Sequence, residues 1–327
     1  MEKASHLSVI VDLSPTQWHL SAQPSNPYPL SIQSFLSQLL AFLNTHVAAK
    51  HENTLAVYGA LPGKSVLLYS SSDPAPENAP ASDANAFTPF KLVDATVVDR
   101  IMQEFEAVSE AEEEAPCSLV SALAKALCYI NRITHPSTSA GPEDPNELPD
   151  PRILILSVSP DLSSSYIPIM NCIFSAQKLK VTIDVCKVYG PETVFLQQAA
   201  HLTEGSYIHL ERRDALLQYL VMSFLAPPSV RGVLAVPRQE RIDFRAACFC
   251  HKNIVDIGFV CSVCLSIFCQ PVPVCSTCRT KFPIKTLQRL NASRPPGPPR
   301  QATPQTSPAK PSTNGHRGFG PELNGRP

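Results

Sequence analysis

The sequence predicts an α/β fold, with a mostly parallel sheet covered by helices on both faces, followed by a small C-terminal zinc-binding module. The sheet is predicted because short apolar segments alternate with segments of helical periodicity between residues 7 and 225, a pattern typical of parallel sheets. The module is predicted because two Cys-x-x-Cys pairs lie ten residues apart near the C-terminus, a spacing typical of zinc sites.

The first half of this pattern begins with LSVIVDL, a short apolar run that contains Asp12 near its end. Such a run is typical of a buried strand. Two further apolar runs flank Pro62 and Gly63, which favour a turn between them. The predicted elements are, in order, a strand at 7–13, a helix at 32–47, strands at 54–60 and 65–70, and helices at 94–108 and 117–133.

The second half continues the alternation of strands and helices. Pro168 falls in the first turn of one predicted helix, where the missing N–H of proline is tolerated. The predicted elements are, in order, a strand at 152–159, a helix at 164–180, a strand at 181–189, a helix at 193–202, a strand at 205–210 and a closing helix at 213–225.

Proline-rich segments divide the chain. The sequence holds 33 prolines among 327 residues, and they cluster in three segments that lack the apolar residues needed to fold alone. We therefore expect an α/β domain at 1–228 with disordered insertions at about 71–86 and 135–151, a zinc module at 241–290 and a disordered tail at 291–327.

The cysteines of the module are the strongest chemical signal. The N-terminus lacks the pattern of a signal peptide, and no apolar stretch is long enough to cross a bilayer, so we expect an intracellular chain with reduced thiols rather than disulfides. Cys261, Cys264, Cys275 and Cys278 are then expected to hold one zinc ion. A closed four-thiolate site has no open position for water and indicates a structural role.

Four more candidate ligands lie nearby: Cys248, Cys250, His251 and Cys269. Eight ligands would suffice for a two-zinc cross-brace of the RING type, which leaves a RING-like ubiquitin ligase component as an alternative. The spacing favours one zinc site instead, because Cys250 and His251 are adjacent and Cys269 has no Cys-x-x-Cys partner.

Several segments resemble a known family. An Asp at the end of the first strand, in the run Asp12 to Thr16, and the segment FLQQAAHLTEGSY at 195–207 are similar to the von Willebrand factor A fold. The stretch ACFCHKNIVDIGFVCSVCLSIFCQPVPVCSTC at 247–278, and SLVSALAKALCYINR at 118–132, closely resemble the family of smaller von Willebrand A-type subunits of the general transcription factor TFIIH.

This resemblance implies a function. It implies a nuclear, non-catalytic structural subunit of the TFIIH core, which supports RNA polymerase II transcription initiation and nucleotide excision repair. The implied partners are the larger von Willebrand A/RING-type subunit and other TFIIH core subunits, with no small-molecule substrate.

Adhesion-type relatives of this fold bind Mg²⁺, so a Mg²⁺-dependent binding domain is a second alternative. Asp12, Ser14 and Thr16 could supply the first metal-binding loop, and Ser118 lies near the second. Val158 stands where the family pattern has an Asp, which removes one carboxylate from the site. We therefore expect an eroded site, although Asp161 could replace the missing ligand.

Charge and motifs limit the other function classes. The net charge of −1 gives no overall field for nucleic acid or membrane, and no phosphate-binding or nucleophile motif occurs. The module carries a modest basic surplus: Arg241, Arg245, Lys252, Arg279, Lys281, Lys285 and Arg289 against Asp243 and Asp256. Without a recognition helix, direct contact with nucleic acid is not expected.

Overall fold

The computed structural model describes residues 3–72, 87–107, 115–134, 149–162, 165–234, 242, 244–251 and 253–292. The chain divides into two compact units, Met1–Gln270 and Pro271–Pro327. Most of the two predicted insertions and nearly all of the predicted tail lie outside the described residues. The second insertion was predicted to end too late, because Asp150 and Pro151 already pair with Ser5 and His6 in the sheet.

Six strands form the central sheet of the first unit. Their spatial order is β3-β2-β1-β4-β5-β6, and every neighbouring pair is parallel except β2 and β3. The strands are β1 (Ser5–Asp12), β2 (Thr54–Ala60), β3 (Ser65–Ser70), β4 (Asp150–Ser157), β5 (Thr182–Lys187) and β6 (Tyr207–His209). This mostly parallel sheet with an antiparallel edge strand confirms the predicted fold, which is von Willebrand factor A-like.

Helices connect the strands of the sheet. They are α1 (Pro15–Ser21), α2 (Ile32–Ala49), α3 (Thr88–Glu106), α4 (Leu119–Thr134), α5 (Tyr166–Leu179), α6 (Val194–Leu202), α7 (Leu216–Tyr219) and α8 (Pro228–Arg231). Helix α1 was not predicted. No helix among the described residues has both the length and the apolar character needed to cross a membrane.

The closing helix predicted at 213–225 is not one regular helix. It consists of a 3₁₀ turn (Arg213–Ala215), α7 and a π-helical segment (Leu220–Leu225). The buried guanidinium of Arg152 donates to the carbonyls of Phe224, Leu225 and Ala226 at 2.6, 2.8 and 3.1 Å. A side chain of β4 thus supplies donors for carbonyls that have no partner within the helix.

The core consists of two apolar layers, one on each face of the sheet. Leu7, Val9 and Val11 of β1 belong to the layer that contains α2 and α3. Ile10 of the same strand belongs to the layer that contains α4, α5 and α6. Because both faces are covered, the strands are continuous apolar runs rather than alternating ones, which is why they can be found from the sequence.

Two histidines are buried in this domain. His6 lies 2.8 Å from Thr54 Oγ1 and 2.9 Å from Ser8 Oγ through its two ring nitrogens. His46 Nε2 lies 3.3 Å from the carbonyl of Thr54. Burial lowers the pKa of His6 from 6.5 to about 4. Burial, followed by the charge of Arg152, lowers the pKa of His46 to about 4 as well.

These shifts predict a loss of stability in mild acid. Each histidine is neutral in both states above pH 6.5, whereas between about pH 6.5 and 4 only the unfolded chain binds the proton. The free energy of unfolding should therefore fall across this window, by up to ~3 kcal/mol for each histidine. Urea unfolding at several pH values measures the slope. His46→Gln should flatten it, and an unchanged slope in that variant would show that His46 is not the group responsible.

Candidate metal centres and the carboxyl edge of the sheet

Cys261 and Cys264 lie on one tight turn in the first unit. The N–H of Cys261 donates to the carbonyl of Ser266 at 2.9 Å, and the N–H of Leu265 donates back to the carbonyl of Cys261 at 3.0 Å. Leu265 adopts a left-handed conformation with φ of 61°. The Cys264 sulfur lies 3.1 Å from the Ser266 hydroxyl.

Cys275 and Cys278 lie on a turn of the same design in the second unit. The N–H of Cys275 donates to the carbonyl of Thr280, and the N–H of Arg279 donates to the carbonyl of Cys275, both at 2.9 Å. Arg279 is left-handed with φ of 59°, and the Cys278 sulfur lies 3.0 Å from the Thr280 hydroxyl. The four predicted zinc ligands therefore belong to two turns with the same hydrogen-bond pattern. Each turn has one left-handed residue, at the equivalent position.

A second group of ligand atoms gathers within the first unit. Its members were candidate ligands in the sequence, although the spacing favoured a single zinc site. Cys248, Cys250, His251 and Cys269 place one ligand atom each within 4.8 Å of the others. The Cys269 sulfur lies 3.5 Å from the Cys250 sulfur and 3.2 Å from His251 Nδ1.

Strand pairing brings this second group together. The antiparallel strands β7 (Phe259–Val260) and β8 (Ile267–Phe268) pair with each other, and Cys269 directly follows β8. The N–H of Phe249 donates to the carbonyl of Ile267 at 2.7 Å, which fixes the turn of residues 248–251 beside Cys269. Sequence spacing carries no sign of this contact, because Cys269 lies 19 residues from Cys250.

The chemistry of the second group fits zinc. Three thiols and one imidazole are soft ligands of the type that structural zinc sites use. Around a tetrahedral zinc, ligand atoms bound at about 2.0–2.3 Å would lie roughly 3.5–3.8 Å apart. The 3.5 Å between two sulfurs and the 3.2 Å between nitrogen and sulfur are close to that separation. Only small side-chain movements would therefore be needed to place these ligand atoms around one ion.

The segment that carries these ligands packs on the sheet domain. Ala247 is buried in the apolar layer that contains α6. The side-chain amide of Gln198 on α6 donates to the carbonyl of Arg245 at 3.5 Å, and the rings of His201 and Phe244 meet edge-on at 5.3 Å. Helix α6 therefore anchors the start of the segment.

The carboxyl edge of the sheet centres on Asp12, which is completely buried. One carboxylate oxygen accepts from the backbone N–H groups of Val158 and Ser159 at 3.0 and 2.7 Å. The other accepts from the Ser14 N–H at 3.2 Å, the Ser159 hydroxyl at 3.0 Å and the Cys117 thiol at 3.2 Å. Both oxygens are thus saturated by donors of the protein.

A cation of the protein lies at the same edge. Lys187 is fully buried, and its ammonium donates to the Ser159 carbonyl at 2.5 Å. Burial lowers the pKa of Lys187 to about 8, although the Asp12 and Asp161 carboxylates oppose this shift. Burial, and then the negative charge of Asp12, raise the pKa of the Cys117 thiol. This thiol therefore remains a hydrogen-bond donor at neutral pH.

Asp161 does not complete a metal site with Asp12. Its carboxylate instead accepts from the N–H of Phe195 at 3.0 Å, at the start of α6, where a negative charge stabilises the helix. Burial raises the pKa of Asp161. The position of Val158 contributes only a backbone N–H to the cluster. The geometry therefore gives Asp12 a structural role at this edge of the sheet.

We expect Asp12→Asn to destabilise the domain without changing any response to Mg²⁺. The amide can accept fewer of these hydrogen bonds and removes the charge beside Lys187, which should cost about 2 kcal/mol. Urea unfolding measures the loss. Thermal melts with and without 5 mM Mg²⁺, roughly a saturating level for a working site, provide the control. A melting temperature that rises with Mg²⁺ in the wild type alone would contradict this account.

Comparison with known proteins identifies the family. Residues 4–279 match the family described as "Transcription factor Tfb4". The chain is 40% identical over 288 residues to the Schizosaccharomyces pombe protein named general transcription and DNA repair factor IIH subunit tfb4, covering 87% of this chain and 91% of that protein.

Two further comparisons agree with this match. An Arabidopsis thaliana TFB4 subunit is 34% identical, with 86% of this chain and 90% of that protein covered. A crystal structure of the TFIIH p34 N-terminal domain superposes with a TM-score of 0.54 and 25% identity, covering 68% of this chain and 98% of that one. The chain therefore belongs to the transcription factor Tfb4 family.

Proposed function

We infer that this chain is a subunit of general transcription and DNA repair factor IIH, TFIIH, and acts in transcription and DNA repair. The observation that carries this inference is the match to TFIIH subunits along nearly their whole length, 91% in the Schizosaccharomyces pombe protein. Its partners are then other TFIIH subunits, and its place of action is the nucleus.

The role that we propose within TFIIH is structural rather than catalytic. In open α/β sheets, ligands usually bind at the carboxyl ends of the strands. Here that edge is filled by Asp12, its protein donors and the buried Lys187. This supports a subunit that works through its protein surfaces, with the larger von Willebrand A/RING-type subunit as the proposed main partner.

We further propose that the cysteine-rich region holds two structural zinc ions. Cys261, Cys264, Cys275 and Cys278, whose spacing predicts one site, would be the ligands of the first, and Cys248, Cys250, His251 and Cys269 the ligands of the second. Four protein ligands leave no open position for water, so neither ion would supply catalysis. Zinc would instead replace the apolar core that so short a region cannot build.

The two alternatives for the function have less support. The proposed ligands alternate along the chain between the two ions, an order that RING modules share, but the matched family is named for a transcription factor rather than for a ligase. Mg²⁺-dependent binding would need free carboxylate oxygens, whereas those of Asp12 are taken by protein donors.

Exposed apolar side chains near the proposed zinc ligands support a partner-binding surface. Phe268 is buried, whereas Ile257, Val260, Val263 and Leu265 are 59–70% exposed. Apolar side chains left exposed in this number usually contact another protein. We therefore propose that this segment, residues 257–265, contacts another TFIIH subunit.

Affinity purification of the tagged chain from its native source tests both proposals. The other TFIIH subunits should be recovered with it, including the larger von Willebrand A/RING-type subunit. Ile257→Ser/Val263→Ser should lower their recovery several-fold. The control Met102→Ser/Phe174→Ser, which changes exposed side chains of α3 and α5, should not. Recovery of the wild-type chain without TFIIH subunits would overturn the function, and equal recovery with both variants would overturn only the surface.

A further inference from the structure

Charge is divided very unevenly between the two units. The unit Pro271–Pro327 holds nine of the 27 Lys and Arg residues of the chain and one of its 28 Asp and Glu residues. Its formal charge is therefore +8, and the remainder of the chain carries −9. The net charge of −1 for the whole chain hides this division, and asymmetry of this size indicates a binding partner of high charge.

Four of these cations lie in the described part of the unit. Arg279, Lys281, Lys285 and Arg289 are all exposed. Arg279 is the left-handed residue of the cysteine turn, and Lys281 pairs with Val274 in a β-bridge. Lys285 and Arg289 lie one turn apart on helix α9 (Ile284–Ala292) and share a face, about 6 Å apart along its axis.

The acidic residues that seemed to offset these cations belong to the other unit. Asp243 and Asp256 precede Gln270, and Asp256 is already paired with Arg245 at 2.8 Å. Between Pro271 and Pro321 the sequence contains no Asp or Glu. The basic surplus of the second unit is thus larger than the sequence-based count over residues 241–290 suggested.

We propose that residues 271–292 of the second unit bind the phosphate backbone of duplex DNA without reading its sequence. Arg279, Lys281, Lys285 and Arg289 follow one another there with no acidic residue among them, which suits a polymer with a regular negative charge better than one acidic protein patch. Duplex is favoured over single strand because Phe282 and Phe319 are the unit's only aromatic residues, too few for a stacking surface.

Salt-dependent binding of the full chain tests this proposal. Fluorescence anisotropy with a labelled duplex of about 20 base pairs is measured from roughly 50 to 200 mM KCl. Four phosphate contacts predict a slope of log K against log salt of about −3.6 or steeper. Two unrelated duplex sequences should bind equally well. Lys285→Gln/Arg289→Gln should weaken binding about tenfold and make the slope shallower by about 2.

A matched variant and a competitor make the test decisive. Lys178→Gln/Lys180→Gln removes two exposed cations at the end of α5 and should change the affinity by less than about twofold. Circular dichroism and zinc content should be the same in both variants. Equal weakening by both variants, or a slope near zero, would overturn the proposal. Displacement of the duplex by polyglutamate at equal charge concentration would assign the surface to an acidic protein instead.

Discussion

Cys275→Ser is expected to unfold the cysteine turn of the second unit and to remove one zinc ion from the chain. Metal binding of this type supplies on the order of 10 kcal/mol to the folding of a small zinc module. Cys275 is completely buried. It takes part in both hydrogen bonds that close the turn, because its N–H donates to Thr280 and its carbonyl accepts from Arg279. Hydrogen exchange of the amides at 275–280 and zinc content measure the loss.

The matched control for this change is Cys128→Ser. Cys128 is an exposed thiol on α4, so its loss should leave both zinc content and amide protection unchanged. Because the sheet domain has its own core, Cys275→Ser should also leave most of the far-ultraviolet circular dichroism intact. A Cys275→Ser protein that keeps all its zinc and its protected amides would show that this thiol is no ligand.

Asp184→Ala is expected to cost the sheet domain about 3–5 kcal/mol, because it leaves a buried arginine unpaired. Asp184 on β5 and Arg231 on α8 are 1% and 8% exposed and form a two-point ion pair at 2.5 and 2.7 Å. Asp184 also accepts from the N–H of Ser206 at 2.9 Å. One carboxylate thus joins β5, the chain before β6 and the helix that ends the domain.

Urea unfolding of two further variants separates the buried ion pair from a general effect of lost charge. Asp214→Ala breaks the exposed pair of Arg212 and Asp214 at 2.8 Å, and its free energy of unfolding should match the wild type. Asp184→Leu/Arg231→Leu removes both buried charges and should recover much of the loss. If Asp184→Ala unfolds at the same urea concentration as the wild type, the ion pair does not stabilise the domain.

The strands were predictable because both faces of the sheet are covered. Residues 54–60 and 65–70 were predicted with the observed bounds, since turn residues interrupt their apolar runs. Helix α1 was missed because its seven residues are too few to show a helical periodicity, and tertiary contacts help to hold it in place. Its Trp18 donates from the indole to the carbonyl of Asp12 at 2.8 Å and packs on Phe35 with ring centroids 4.4 Å apart.

The same distinction between local and long-range contacts decides which candidate ligands could be grouped from the sequence. A Cys-x-x-Cys turn is local, so Cys261, Cys264, Cys275 and Cys278 could be proposed from spacing alone. The grouping of Cys250, His251 and Cys269 needs the pairing of β7 with β8 and the hydrogen bond from Phe249 to Ile267. The occupation of the Asp12 edge by Lys187 depends likewise on β5 lying beside β4.

Native mass spectrometry of the reduced, full-length chain, purified with zinc present and then dialysed, tests the proposed architecture most directly. The mass should correspond to two zinc ions per chain, falling to one in Cys269→Ser as well as in Cys275→Ser. A wild-type chain that holds a single zinc ion, with Cys269→Ser unchanged, would contradict the second site and restore the single four-cysteine site that spacing alone predicts.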